Sequence, residues 1–590
     1  VFYKGWSFFV PFLSYPGGPL EYLSAFLSQL FYYSWIGALV VTVQAWLLSA
    51  CIYYLLKAGN LPRIRWICFI LPILLLVLYT RYTYYFATTL ALLFTLLVAC
   101  LYSKMTSSQP VTSSCLLTFL LLSLILYYLA GGAFLLFAVV CAIHELTFRS
   151  RWKTSLCYLL SAAVIPYVVG LLVLGVGSID AYSNLMPFSW KILDYEARRR
   201  LVAIVYLLYL LAPVTLLVFG LGRRFGARLH FAKRPTGRKS GKKHPNRISN
   251  SPAEVFSWYS CSPKLRFFVN SLLLLAIAGG AGFFCRDENL RTRFKVDYYA
   301  YHKMWPELLA SAQHNPDNPF IAHAVNRALY HVGRLGYDMF SWPQHPDYLF
   351  LSDEKYKWMY WQIFDVFLYL GVVNMAENAL TECLEGLGGR PMILQRLALI
   401  NMVKGNLGSA KIYLGALGKT LFHAEWANNY LDHLKTDPEL SGDKYVQHLR
   451  SLCLDKDCPI YSLFTEKTLL WLLERNSQNR MAFEYLMARY LLRKHLGKFV
   501  QNLERLEDFD YPELPTHYEE AALIYMYQTG EPLGLSRYLP SLQKRQQIEE
   551  FSRILTGFGG DKKAASRELS KRFRNTYFFY CMYAPSGSNK

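Results

Sequence analysis

Long apolar runs fill the first half of the chain and stop abruptly near residue 285. A bilayer crossing takes ~20 mostly apolar residues, and candidate spans occur at 30–56, 61–79, 83–102, 113–128, 131–148, 154–177, 200–221 and 267–285. The fourth and fifth are short and separated only by Ala130-Gly131-Gly132, which predicts a tight hairpin or a re-entrant pair. Beyond 285 the pattern changes to mixed charge at helical spacing, without sustained strand alternation. The expected fold is all-α: a polytopic transmembrane helix bundle over 1–285, then a soluble helical domain over 286–590.

Internal repetition shapes the second half. Gly371-VVNM-Ala376 and Gly405-NLGS-Ala410 repeat a glycine, four intervening residues and an alanine, with the glycines 34 apart. That is the tetratricopeptide period, in which the glycine ends one helix and the alanine lets the next pack closely. Weaker echoes start at Gly333, Gly497 and Gly530. A tetratricopeptide-like α-solenoid is therefore expected, and such stacks present a concave surface suited to a protein or peptide partner.

Charge divides the chain at the same place. Residues 1–285 carry 25 Lys/Arg against 6 Asp/Glu, and residues 286–590 carry 37 against 35. The basicity thus belongs to the membrane half, and nucleic acid is not an expected partner. One set of loops (Lys57/Arg63/Arg65, Lys104, Arg149/Arg151/Lys153 and 222–266) holds 19 basic residues, and the opposite set holds 6. The positive-inside rule puts the first set in the cytoplasm. Loops 1–29 and 179–200 and the whole of 286–590 are then outside, in the periplasm of a bacterial inner-membrane protein. The chain starts on Val, so a preceding ninth span is expected. The 222–266 loop, with 12 basic residues and one acidic, reads as a topogenic loop or as an attachment to anionic lipid headgroups.

Candidate chemistry is sparse. No Walker loop, GxSxG, HExxH, dinucleotide fingerprint or thiol-redox pair occurs. Charge is nearly absent from the span interiors, where Gln44 is the mid-span polar residue, so a transport pathway is not expected. Cys453 and Cys458 lie five apart and could pair in an exported domain. Histidines at 302, 314, 323, 331 and 345 lack a carboxylate at ligand spacing, so no metal site is assigned. The aromatic run 356–362 reads as packing. Two outer stretches stand out. Tyr15–Tyr33, YPGGPLEYLSAFLSQLFYY, carries Glu21 after a Pro-Gly-Gly-Pro turn. Residues 179–200 carry Asp180, Asp194 and Glu196, then Arg198, Arg199 and Arg200 on the side that should be poor in arginine. An arginine cluster there serves as a bidentate phosphate clamp or as an interfacial anchor.

The plan of a first outer loop with an acid, a polytopic bundle and a soluble outer domain resembles the GT-C-type glycosyltransferases, with Glu21 in the acidic position. The resemblance implies a carboxylate that acts as general base or holds a divalent metal ion, a polyprenyl-phosphate donor, and cations at the departing phosphate. Glu21 would be the base and Arg198–Arg200 the clamp. Over nearly its whole length the chain also resembles an uncharacterised bacterial membrane family, a domain of unknown function. That likeness rests on YPGGPLEYLSAFLSQLFYY, NRALYHVGRLGYDMF (326–340), LPTHYEEAALIY (514–525) and RNTYFFYCMY (574–583). The alternative function is a non-enzymatic, membrane-anchored scaffold recruiting periplasmic proteins. His517, Glu519 and Glu520 in LPTHYEEA read as a helix start capped by Thr516.

Overall fold

The computed structural model describes residues 2–59, 61–82, 86–107, 112–187, 199–232, 263–351, 363–454, 466–533 and 540–584. Among them no strand occurs, and the chain divides into two compact units, Val1–Asp287 and Glu288–Lys590.

In the first unit, five described stretches are long and apolar enough to cross a membrane: Ser34–Ala58, Phe86–Thr106, Ser113–Phe148, Trp152–Val173 and Ala203–Gly222. The chain is a multi-pass membrane protein. Its helices are α1 (Gly18–Gln29), α2 (Ser34–Ala58), α3 (Ile70–Tyr79), α4 (Phe86–Thr106), α5 (Thr112–Ala130), α6 (Phe134–Phe148), α7 (Trp152–Ile165), α8 (Ser178–Ser183), α9 (Arg199–Ala232) and α10 (Pro263–Phe284). The 113–148 stretch is folded on itself. A straight helix would separate residues 119 and 137 by ~27 Å, yet the Phe119 and Phe137 rings stack with centroids 5.3 Å apart. Ala130–Ala133 is therefore the bend of an antiparallel α5–α6 hairpin. The central helix is α4, packed by α1, α2, α5 and α6, and it is the most enclosed of the spans. Outer helices turn Trp35, Trp46, Leu117, Leu121 and Leu160 outward, as lipid-facing positions require. Gln44 is explained by packing: its amide donates to Thr89 Oγ1 at 2.8 Å and its carbonyl accepts from the Tyr79 hydroxyl at 3.1 Å, which satisfies both groups away from water. α9 outruns its expected end at 221. The first proline after the span is Pro235, so nothing stops the helix, and it turns the start of the expected 222–266 loop helical as far as Ala232.

Contacts sort the loops to two ends. At one end Gly17 N–H donates to Tyr128 O, Gly132 N–H to Asn184 O, and Asp287 N–H to Thr80 O. At the other end Arg149 donates to Thr106 O, and Gly220 lies against Thr147. Residues 13–18, 80–82, 128–133 and 177–186 thus share one end, called the outer end below.

The second unit contains α11 (Glu288–Tyr301), α12 (Trp305–Ala312), α13 (Pro319–His331), α14 (Leu335–Asp338), α15 (Ile363–Leu370), α16 (Val373–Leu387), α17 (Pro391–Val403), α18 (Leu407–Gly418), α19 (Ala424–Thr436), α20 (Lys444–Leu452), α21 (Glu466–Arg475), α22 (Arg480–Leu492), α23 (Leu496–Gln501), α24 (Thr516–Thr529), α25 (Leu542–Gly557), α26 (Lys562–Phe573) and α27 (Tyr577–Tyr583). Among the described residues of this unit one turn recurs five times. A left-handed residue at 303, 333, 371, 405 or 494 precedes an N–H that bonds the carbonyl five residues back: Met304 to Tyr299, Arg334 to Leu329, Val372 to Phe367, Asn406 to Asn401, His495 to Tyr490. This is the Schellman helix end. Gly333, Gly371 and Gly405 sit at the glycines picked out in the sequence. The other two positions are Lys303 and Lys494, and Gly497 falls inside α23 instead.

The array closes around a core helix. In α22, eleven of thirteen residues are buried, on every face, the mark of an element surrounded by others. Asp365 of α15 ties three successive hairpins, accepting from Arg327 of α13 at 2.9 Å and from Arg396 of α17 at 2.7 Å. Phe340 packs on His517, Tyr577 and Tyr580, so the last helices return to the second hairpin.

Candidate functional site

The outer end of the membrane unit is built by the Pro-Gly-Gly-Pro turn. Gly17 takes φ +91°, where a side chain would be strained and would also strike Asn184. Its N–H reaches Tyr128 O at 2.9 Å, which docks the turn on the α5–α6 hairpin. Across the turn, Gly132 has no room for a Cβ, which would lie 2.2 Å from Tyr182 O. Asn184 stitches the two loops: its side-chain amide donates to Pro16 O at 2.9 Å, and its carbonyl accepts from Gly132 N–H at 2.9 Å. The turn delivers Pro19 into the first turn of α1 and Glu21 behind it, at the positive end of the helix dipole.

Glu21 Oε2 accepts from the Tyr15 hydroxyl at 2.9 Å. Its Oε1 is enclosed and makes no hydrogen bond. Tyr15 and Pro16 form one wall of a cavity of about 190 Å³, whose other walls are Val176, Asp180 and Asn184. Asp180 is exposed in the first turn of α8. The approach to α8 is a π-helix, Pro166–Val173, an uncommon element enriched at functional sites. It is held by the Tyr182 hydroxyl on Ala163 O at 2.6 Å, while the Tyr127 hydroxyl bonds Ala181 O at 3.0 Å.

The structure therefore brings Asp180 to the wall formed by Tyr15, the residue that holds Glu21. Asp194, Glu196 and Arg198 lie outside the described residues, as do the 356–362 run and Cys458. Arg199 and Arg200 open α9, and their side chains lie outside the description. Among the described residues no group of three His, Cys, Asp or Glu side chains is placed to hold a metal ion. Glu21 and Asp180 supply two carboxylates on either side of Tyr15, donors of the kind that would hold a divalent ion together with a substrate phosphate.

Sequence reasoning missed a buried carboxylate at the opposite end. Glu145 of α6 is fully enclosed and accepts from the Tyr102 hydroxyl at 2.9 Å and Arg149 at 3.0 Å. The one signal was Arg149 four residues on, one helical turn away. This cluster ties α4 to α6 through Glu145 Oε1, while Oε2, like Glu21 Oε1, is enclosed and makes no hydrogen bond.

The tempting LPTHYEEA stretch is also structural. Glu520 accepts from His517 Nδ1 at 3.0 Å, Lys544 at 2.6 Å and Tyr577 N–H at 2.7 Å. His517 Nε2 accepts from Phe340 N–H at 3.3 Å. Thr516 is not the cap: Pro515 holds that position and no side chain caps the helix. Pro515 imposes the extended entry, so Thr516 becomes the first helical residue. Glu519 instead accepts from Ser541 N–H.

A model of a family of unknown function matches residues 1–584, across both units. The chain belongs to this family, DUF6057. No curated protein and no solved structure matches it. Within this DUF6057 chain the segments 326–340, 514–525 and 574–583 converge through Phe340, His517 and Tyr577, while Tyr15–Tyr33 builds the outer-end cavity.

Proposed function

We propose that the chain is a GT-C-like membrane glycosyltransferase. It moves a sugar or glycan from a polyprenyl-phosphate donor at the periplasmic face of a bacterial inner membrane. The observation that carries this reading is Glu21, a carboxylate with one oxygen held by Tyr15 and the other without a hydrogen bond, behind a cavity where two outer loops meet. Tyr15 fixes the carboxylate plane and, as the cavity-lining residue, passes the substrate proton on to Glu21. Glu21 takes the acceptor hydroxyl proton as the acceptor oxygen bonds the sugar C1. The C1–O bond to phosphate breaks, and its electron pair leaves with the lipid phosphate, whose charge Arg198–Arg200 neutralise. Asp180 orients donor hydroxyls at the cavity mouth. The 286–590 unit would hold the acceptor.

The test is transfer in proteoliposomes from a radiolabelled polyprenyl-phosphate sugar. Glu21→Gln should lower the rate ~10²-fold or more at unchanged protein level, and equal rates would exclude Glu21 as the base. A second reading, a membrane-anchored scaffold for periplasmic proteins, draws on the five repeated helix hairpins. It leaves Glu21→Gln without effect and makes partner capture depend on residues 286–590.

A further inference from the structure

The helical unit contains a second cavity, of about 300 Å³, that the membrane-level chemistry does not use. Its walls include Lys303, His331, Tyr369, Tyr445, Gln478 and Arg480, and among the described residues no carboxylate lines it. Lys303 occupies the left-handed position of the first hairpin turn at φ +58°, where Gly333, Gly371 and Gly405 stand in three of the other four. A side chain in that conformation is disfavoured, so the lysine sits there against its own backbone preference. Its ammonium lies 4.8 Å from the centre of the Tyr445 ring. Lys494, in the equivalent turn, is tied to Ala584 O at 2.7 Å.

The other groups are ordered before any ligand arrives. His331 stacks flat on Trp305 at 4.3 Å and stands edge-on to Tyr369 at 5.3 Å. Its Nε2 is enclosed and makes no hydrogen bond. Burial, with the nearby Arg327 and Lys303 charges, pushes its pKa down to about 3, so it meets a ligand as a neutral imidazole. Behind the aromatic wall Arg327 and Arg396 share Asp365. Among the described residues that line the cavity, Lys303 is a cation without an ion pair, whereas Arg480 is balanced by Glu484 at 2.8 Å.

We propose that this cavity binds a small organic anion of monosaccharide size, a sugar acid or a sugar phosphate. Its charged group lies on Lys303, its ring against Tyr369 and Tyr445, and its hydroxyls on the Gln478 amide. The volume is at the small end for ligand pockets, which fits one ring and not a folded partner. The proposal is independent of the transfer reaction at the outer end.

The test uses the full chain in lipid nanodiscs and titration calorimetry with glucuronate, glucose 6-phosphate and glucose. At least one anion should bind, and glucose should bind tenfold more weakly or not at all. Raising the salt from 50 to 500 mM should weaken the anion several-fold. The decisive variant is Lys303→Gly, which suits the turn and should keep or raise Tm while lowering anion affinity at least tenfold. Lys303→Arg should retain most of the binding. Gln478→Ala, in an exposed turn, should weaken it with Tm unchanged. Which anion binds more tightly separates carboxylate from phosphate. The proposal is overturned if neither anion binds at 10 mM, if glucose binds equally well, or if Lys303→Gly binds like the parent.

Discussion

Glu21 lies in the first turn of α1 and Glu520 one residue past the first turn of α24, each helix entered through a proline-bearing turn, yet the two are solvated in opposite ways. Glu520 is wholly buried and receives three donors from His517, Lys544 and the Tyr577 backbone. Burial would raise its pKa, but the His517 and Lys544 interactions outweigh that cost and hold it below the ordinary carboxylate range. Glu21 has one donor, Tyr15, and one oxygen without a partner beside a cavity. Glu145 and Glu484 also keep one oxygen without a hydrogen bond, so what sets Glu21 apart is the cavity on the far side of Tyr15. That difference separates the motif at 514–525 from the one at Tyr15–Tyr33, which their sequences alone do not.

The largest effect expected from this contrast is on stability. Glu520→Ala strands Lys544 and His517 in a dry site and should cost about 3–5 kcal/mol, read as a lower thermal midpoint and early proteolysis of residues 288–590. Glu21→Gln should leave both unchanged. Equal destabilisation by the two would erase the distinction. Next is Tyr15→Phe, which removes the one hydrogen bond that aims Glu21. A bond to a charged group is worth about 1.5–3 kcal/mol, so transfer should fall ~10–100-fold at normal protein level. An unchanged rate would free Glu21 from Tyr15.

A smaller effect concerns pH. His323 is buried, with Nδ1 on the carbonyls of Tyr348 and Leu349. Burial, helped by the Arg327 charge, lowers its pKa to about 4. The unfolded chain takes up this proton below pH ~6.5 while the folded chain refuses it until about 4. Stability therefore falls as pH drops from 6.5 towards 4, by about 2 kcal/mol at pH 5. His323→Gln should flatten that slope in thermal melts at pH 7 and pH 5. A slope that stays the same would place the acid sensitivity elsewhere.

Much of the fold is written locally and much of the site is not. Spans are legible because ~20 apolar residues have few other uses, and the hairpin because Gly131-Gly132 interrupts one such run. Gly333, Gly371 and Gly405 announce their turns. Lys303 and Lys494 do not, since a lysine in a left-handed turn carries no compositional mark. Glu145 escaped notice because it lies in the last turn of α6, where a charge looks like a loop residue. Glu520 was legible as a helix start but not as a junction, because its partners Lys544 and Tyr577 lie 24 and 57 residues away. Asp180 was placed among the acids of one loop. Its position at the Tyr15 wall depends on Asn184, which bonds across 168 residues.

The proposed transfer requires the Glu21 end of the membrane unit to face the periplasm. The direct measurement is a pair of C-terminal fusions after Lys590, one to alkaline phosphatase and one to a fluorescent protein that matures only in the cytosol. With alternate crossings and a cytoplasmic 222–266 segment, the phosphatase fusion should be active and the fluorescent fusion dark. A dark phosphatase with a bright fluorescent fusion would put Glu21, Asp180 and the helical unit in the wrong compartment and contradict the proposed transfer.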